Sequence, residues 1–556
     1  MRKLFIFVVC CSAVLLTGYA GYRSYKVWKA HHLMSLGRDF LAKSDRKNAV
    51  LSVQEVLASD PRNLEATRAM AQFAEASRAP GAVLWRSRVV ELAPHSLPDR
   101  LALVQTALTM HDYATATNAL EAVDSADKQT AAYRNIAGMV AATTGHPGEA
   151  EKQFLEVIRI DPNDVSAQLN LAVVRLHRTN KVELEAARDT LHKLAGNPTN
   201  SNLRCMAMRE LTLDAMGYGD AAGSLSLSKQ LTLETNSEFS DQILRLEVLR
   251  ELRQPEFRQY LTNCQREATT NQAKTYELAR WEMTKVSVQE ALSWLQTLPK
   301  NAQTNQPATL LIAECYTASK DWKSLHGWLE KQRWAEMEFL RHALMSRALR
   351  GEDLAASSKT EWEQALKLAN AQKQSLVMML GMAAQWGWLS EGEELLWTMF
   401  NRFPDEKWAK RALTKTLFEE GETRSLMQLF EQELKRTPSD LSAKNNLATV
   451  ALLLNAKELK PFDLAQEVYN QHPDNPSFAA TYGFALYLQG KTNEALKIMQ
   501  KVKAQDLDIP AIAGYYGVIL KGAGDRPNAK IFLAKASRSR FLPEERKLFT
   551  QAWSEL

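Results

Sequence analysis

The chain has 556 residues, 45% of them hydrophobic and 24% charged, the balance of a folded body rather than a disordered one. Its 69 basic and 64 acidic residues nearly cancel to a net charge of +5, so no strongly basic domain marks a nucleic-acid binder. Cys205, Cys264 and Cys315 are widely spaced with no CxxC pair, which excludes a disulfide framework or a zinc site built on spacing.

Residues 1–3 are a short basic start, and residues 4–22 form a charge-free apolar run of 19 residues. As a helix it spans roughly 28 Å, about one hydrocarbon core. Tyr19, Tyr22, Tyr25 and Trp28 gather at its far end like an interfacial aromatic belt. Gly18-Tyr19-Ala20 also has the small-x-small form of a signal-peptide cleavage site. Arg23, Lys26 and Lys29 would follow that cut at once, so an uncleaved transmembrane anchor is the preferred expectation. Cys10 and Cys11 then read as membrane-buried thiols. Charges on the two sides nearly balance. The body is expected on the periplasmic side of a bacterial cytoplasmic membrane, the alternatives being secretion after cleavage or a cytoplasmic body. Residues 23–32, with His31-His32, form a polar juxtamembrane segment.

From residue 33 onward short amphipathic helices follow one another. Leu33–Pro61 carries Gly37 and Phe40, then Ala49, Val53 and Val56. Phe73 precedes Ala82 and Val89, and His111-Asp112-Tyr113 sits in a turn before Ala116 and Leu120. Ala131–Asp164 is the clearest unit. Ile136, Ala137, Val140 and Ala141 recur at helical spacing, and Ala150, Phe154, Val157 and Ile158 form a second stripe. His146-Pro147-Gly148 is expected to turn the chain, with a second helix from about Glu149 and a stop at Asp161-Pro162-Asn163. Val165–Pro198 repeats the pattern. The segments so defined are 33–200, a stretch 201–271 with helices but no clear register, a Trp-rich 272–372, a regular 373–540 and a final helix 541–556. Glu544, Glu545, Arg546 and Lys547 suit a solvated cap on that last helix.

The spacing in the last third is nearly constant. Gly387 to Gly421, Pro404 to Pro438, Gly483 to Gly517, Gly490 to Gly524 and Ala495 to Ala529 are each 34 residues apart. A helix–turn–helix unit of this size cannot bury its own apolar face, so it must stack. The period, with Gly138, Ala150, Phe154 and Pro162 in the clearest unit and Gly483, Ala495, Gly517 and Ala529 at the end, resembles the tetratricopeptide repeat. Small residues let paired helices approach while Phe154 or Met499 fills the neighbouring gap. Arg134 and Ala141 depart from the aromatic residues of the family pattern. The resemblance implies an all-α, right-handed superhelical solenoid of about 14 repeats over residues 33–540.

No catalytic constellation accompanies the repeats: HExxH, GxSxG and a Gly-rich phosphate loop are all missing from the sequence. No cofactor or metal is expected. Ten of the 13 tryptophans fall between Trp281 and Trp408, and most, including Trp294, Trp328, Trp362 and Trp397, are expected to fill gaps between repeats. The resemblance places Trp408, Arg411, Lys415, Phe418, Asn445, Thr449, Phe484 and Tyr487 on a concave groove, together with Leu452 and Ala480. Aromatic anchors with a few donors and cations suit an extended peptide or an acidic chain. Some members of the family clamp a terminal carboxylate with Lys and Asn from three successive repeats. Asn135 and Asn170 hint at this, but no matching basic residue follows, so a clamp is not expected. These features point to a non-enzymatic, membrane-anchored scaffold for other envelope proteins. The alternatives are a protein that handles polysaccharide, for which the tryptophans would stack on sugars, and a cytoplasm-facing regulatory scaffold.

Overall fold

In the computed structural model every regular element among the described residues is helical. The structure describes residues 25–556 except 27, 44, 77–80 and 538. The expected anchor at 4–22, its cleavage motif and the flanking Arg2, Lys3 and Arg23 lie outside those residues. Among the described residues no helix is long and apolar enough to cross a membrane. The chain divides into two compact units, Met1–Glu290 and Ala291–Leu556.

In the first unit paired helices follow in order: Leu64–Ala76 with Ala82–Leu92, Leu97–Thr109 with Tyr113–Glu121, and Ala131–Thr143 with Pro147–Ile160. Val165–Leu176 with Lys181–Ala195 comes next. Starts are set by side-chain caps. Asp112, Asp164 and Asn200 each accept a hydrogen bond from the backbone N–H three residues on, replacing a partner that the first helical turn lacks. The turn in Ala131–Asp164 differs in detail from the expectation. Gly145 takes the left-handed backbone, φ 82°, while Pro147 opens the second helix and Gly148 lies within its first turn. Proline tolerates that first position because its missing N–H would be unpaired there anyway.

Close approach explains the small residues. A Cβ added at Gly138 would sit 2.5 Å from Cε1 of Phe154, and one at Gly517 would sit 2.7 Å from Cγ of Leu533. Ala150, Ala495 and Ala529 are fully buried. Pro162 follows the helix end and is exposed. Residues 201–271, without register in the sequence, form two more pairs, Ser201–Tyr218 with Ala221–Leu231 and Phe239–Glu251 with Phe257–Ala268. Buried Ser224 and Ser228 stand on the helix after the turn, so the usual alanine signal is weakened.

Ion pairs spaced about one unit apart tie neighbours together. Arg209 makes a bidentate pair with fully buried Asp241, at 2.6 and 2.9 Å. In the second unit Lys373 reaches Glu406 at 2.5 Å and the Trp362 indole N–H donates to Glu394 at 3.2 Å. Such pairs lock the register of a stack whose apolar contacts alone are permissive.

The second unit runs from Ala308–Ala318 with Trp322–Leu329 to Pro510–Gly522 with Arg526–Ala536, and ends in Pro543–Ser554. Its core includes three apolar clusters, one around Leu340, Trp362 and Met379, one around Leu413, Leu429 and Val450, and one around Phe484, Ile519 and Phe549.

Candidate functional site

Two inner faces are built in different ways. In the first unit the helices Leu97–Thr109, Ala131–Thr143, Val165–Leu176 and Ser201–Tyr218 each bury one stripe and present the next to a shared groove of about 590 Å³. Gln105, Asn135, Asn170 and Asn202, one from each helix, line it with Ile136, Met139 and Met206. The Asn170 amide donates to Oδ1 of Asn135 at 3.1 Å, which joins two neighbouring units. No ionisable side chain lines this groove. Primary amides both donate and accept, so a row of them can pair with either face of an extended polypeptide backbone.

In the second unit the predicted groove residues separate. Arg411, Lys415, Phe418 and Thr449 come together in one cleft of about 520 Å³. Arg411 and Lys415 are exposed, and Lys415 lies 3.9 Å from Glu419. Trp408 is half-buried against the core, its indole N–H donating to Glu406 at 2.9 Å. Asn445 and Phe484, expected on an open surface, are 5% and 2% exposed. Phe484 packs against Tyr515 with ring centroids 4.7 Å apart, and the Thr449 and Thr481 hydroxyls meet at 2.9 Å. Leu452 and Ala480 are buried, and Tyr487 is half-buried beside Gly522. The physical reason is curvature: successive first helices approach so closely that their inner side chains touch each other.

The C-terminal segment completes the filling. Leu542 packs into the cluster of Leu413, Leu417, Leu426 and Val450. The Thr423 hydroxyl donates to Glu544, 121 residues away in sequence. Pro543 lies over the Gly421 turn, where a Cβ would sit 3.1 Å from its Cγ. Glu545, expected as a solvated cap charge, is 6% exposed and accepts from the Tyr515 hydroxyl at 2.7 Å and from the Leu542 N–H at 3.2 Å. Burial pushes its carboxyl above the usual range, although those two donors pull the other way. The sequence signal for this return was slight: a run Phe541-Leu542-Pro543 ahead of two glutamates.

Several tryptophans are consumed internally. Trp281, Trp294, Trp334, Trp362 and Trp388 are buried. The Arg347 guanidinium sits 5.2 Å from the Trp322 ring and 5.4 Å from that of Trp386, so those faces hold a cation. Among the described residues no group of three His, Cys, Asp or Glu is placed to hold a metal ion.

Residues 101–165 match the family model of the tetratricopeptide repeat. No curated protein matches the chain. Among solved structures, pilF of Pseudomonas aeruginosa is similar at 16% identity and TM-score 0.29, covering 40% of this chain and 99% of its own. A tetratricopeptide repeat protein from Parabacteroides merdae is similar at 13% identity and TM-score 0.35, over 52% of this chain and 99% of its own. A Naa15/Naa10 complex bound to HypK-THB is similar at 10% identity and TM-score 0.30, over 93% of this chain and 90% of that one. The chain thus carries tetratricopeptide-repeat sequence at residues 101–165, set within an all-helical array of helix–turn–helix units.

Proposed function

We propose that this protein is a non-enzymatic helical-repeat scaffold that holds an extended segment of another protein in the inner groove of its first unit. The observation that carries the reading is the groove lined by Gln105, Asn135, Asn170 and Asn202 with no ionisable side chain. Four amides and several methionine and aliphatic contacts in a row let weak interactions add along an extended ligand. Trp281, Trp294, Trp334, Trp362 and Trp388 are buried, so those five indoles offer no face to a sugar. In this reading residues 4–22 anchor the scaffold in the cytoplasmic membrane of a bacterium, with the repeats on the periplasmic side. The support is the length and apolarity of that run.

A photo-crosslinking residue placed at Gln105 or Asn202 in the full chain, in cells, tests the groove. Both positions are exposed and inside it, whereas Val182 is 79% exposed and outside it. A defined protein adduct from Gln105 and Asn202 and none from Val182 is expected; equal adducts from all three would overturn the reading. A reporter active only in the periplasm, fused after Leu556, tests the topology separately, and an inactive but intact fusion would reverse it.

A further inference from the structure

A further cavity, of about 400 Å³, lies at the end of the second unit, between the C-terminal half of Arg526–Ala536 and the helix Pro543–Ser554. Arg546, Phe549, Thr550 and Trp553 stand at helical spacing, so one side of the last helix faces it. Opposite them Ala534, Ala536 and Ser537 are small, which leaves room between the two helices. The floor is fixed. Phe541 and Phe549 cross at 84° with ring centroids 5.0 Å apart, and the Phe549 ring rests on Gly514, where a Cβ would lie 2.5 Å from it. The wall is open, because Trp553 is 49% exposed. Among the described residues that line the cavity, Arg546 alone is charged. It is exposed, and its hydrogen bond to the Phe541 carbonyl is long, at 3.5 Å. The acids of the last helix are engaged elsewhere: Glu544 accepts from Thr423, Glu545 from Tyr515 and Glu555 from Lys521. On the facing helix Lys535 is paired with Asp508 at 2.5 Å.

We propose that this cavity binds a small aromatic acid, a flat apolar body carrying one carboxylate. A concave, mainly apolar cavity of this size with one charged group takes a molecule that is apolar at one end and ionised at the other. The aromatic body replaces water against Phe541 and Phe549 and stacks on the open indole of Trp553. The carboxylate meets the Arg546 guanidinium, whose planar pair of donors matches two carboxylate oxygens. A neutral molecule of the same shape forgoes that contact, and an amine meets the cation as a like charge. The head group therefore decides selection, and the rings supply the common part of the affinity.

The experiment titrates the full chain with 2-naphthoate, using 2-naphthamide and 2-naphthylmethylamine as controls, and reads amide hydrogen exchange by segment. Uptake of a probe by the apolar run 4–22 then does not register as binding to the cavity. The acid is expected to slow exchange in residues 531–553 at concentrations at least tenfold below those the amide needs, and the amine is expected to be weaker still. Arg546→Gln, at an exposed position, is expected to weaken the acid about tenfold and leave the amide unchanged. Ala534→Phe, also at an exposed position, is expected to fill the cavity and abolish binding of both, with unchanged exchange at residues 476–499 as the folding control. No slowing by 2-naphthoate, equal midpoints for acid and amide, indifference to Arg546→Gln, or slowing as large at residues 131–143 as at 531–553 would each overturn the proposal.

Discussion

The first unit keeps an inner face that is open, neutral and lined by amides, whereas the second fills much of the equivalent face with its own side chains and its last helix and leaves a charged cleft at Arg411, Lys415 and Phe418. The helical hairpins are the same device in both. What differs is the residue at the inner positions. Gln105, Asn135, Asn170 and Asn202 are polar and leave room, while Thr481, Phe484 and Tyr515 touch their neighbours across the curl. A repeat architecture therefore does not by itself specify a groove, because inner side chains decide whether the face is a site or a second core.

The largest effect that would separate the two faces is expected from Phe484→Ala. Truncating a fully buried aromatic costs about 3–5 kcal/mol. Hydrogen exchange should accelerate across residues 441–554 and stay unchanged at 97–176; protection lost equally in both places would break the comparison.

Next comes Glu282→Gln. Glu282 is fully buried, its Oε1 accepts from Gln265 at 2.9 Å, and Oε2 has no hydrogen-bond partner. Burial raises its carboxyl to about 7. The folded value stands above the unfolded one, so folding takes up a proton. Stability from this site is full below about pH 4.5, falls as pH rises toward 7, and levels off above it. The substitution should add on the order of 2–3 kcal/mol to the first unit at pH 8 and nothing at pH 4. Chemical denaturation at the two pH values checks this, and an equal effect at both would refute the buried-acid account.

A smaller effect is expected from Gln105→Glu with Asn202→Glu, which charges the neutral groove without touching the core. Loss of crosslinked partner by about tenfold, or roughly 1.4 kcal/mol, should accompany an unchanged melting temperature. The smallest concerns turns. Gly145→Ala should cost about 1 kcal/mol in the first unit, because its left-handed φ of 82° strains a side chain. Lys320→Gly, at φ 54°, should gain about 0.5 kcal/mol in the second. Thermal melts read both.

The helical pairs were legible because their determinants are local. Gly138 against Phe154, Gly517 against Leu533 and the buried alanines all follow from close approach within one hairpin, and a period displays it. The register of 201–271 was not legible, because Ser224 and Ser228 replace the expected alanines and the helix Ser201–Tyr218 is longer than its counterparts. For the site, the position of Arg411, Lys415 and Phe418 on an inner face could be inferred from repeat phase. The burial of Asn445 and Phe484 could not, since it depends on how sharply the stack bends. Glu545 shows the same limit from the other side. Its burial depends on Tyr515, and the neighbouring Glu544 depends on Thr423, a residue 121 positions earlier.

That contact between Thr423 and Glu544, with Leu542 seated beneath it, gives the second unit the mechanics of a fastened hoop. A stack held only by neighbours extends under tension one hairpin at a time, like a soft spring. A hoop resists until its clasp fails and then yields abruptly. Pulled from both ends, the first unit should lengthen gradually, and the second should hold its length until the helix Pro543–Ser554 lets go.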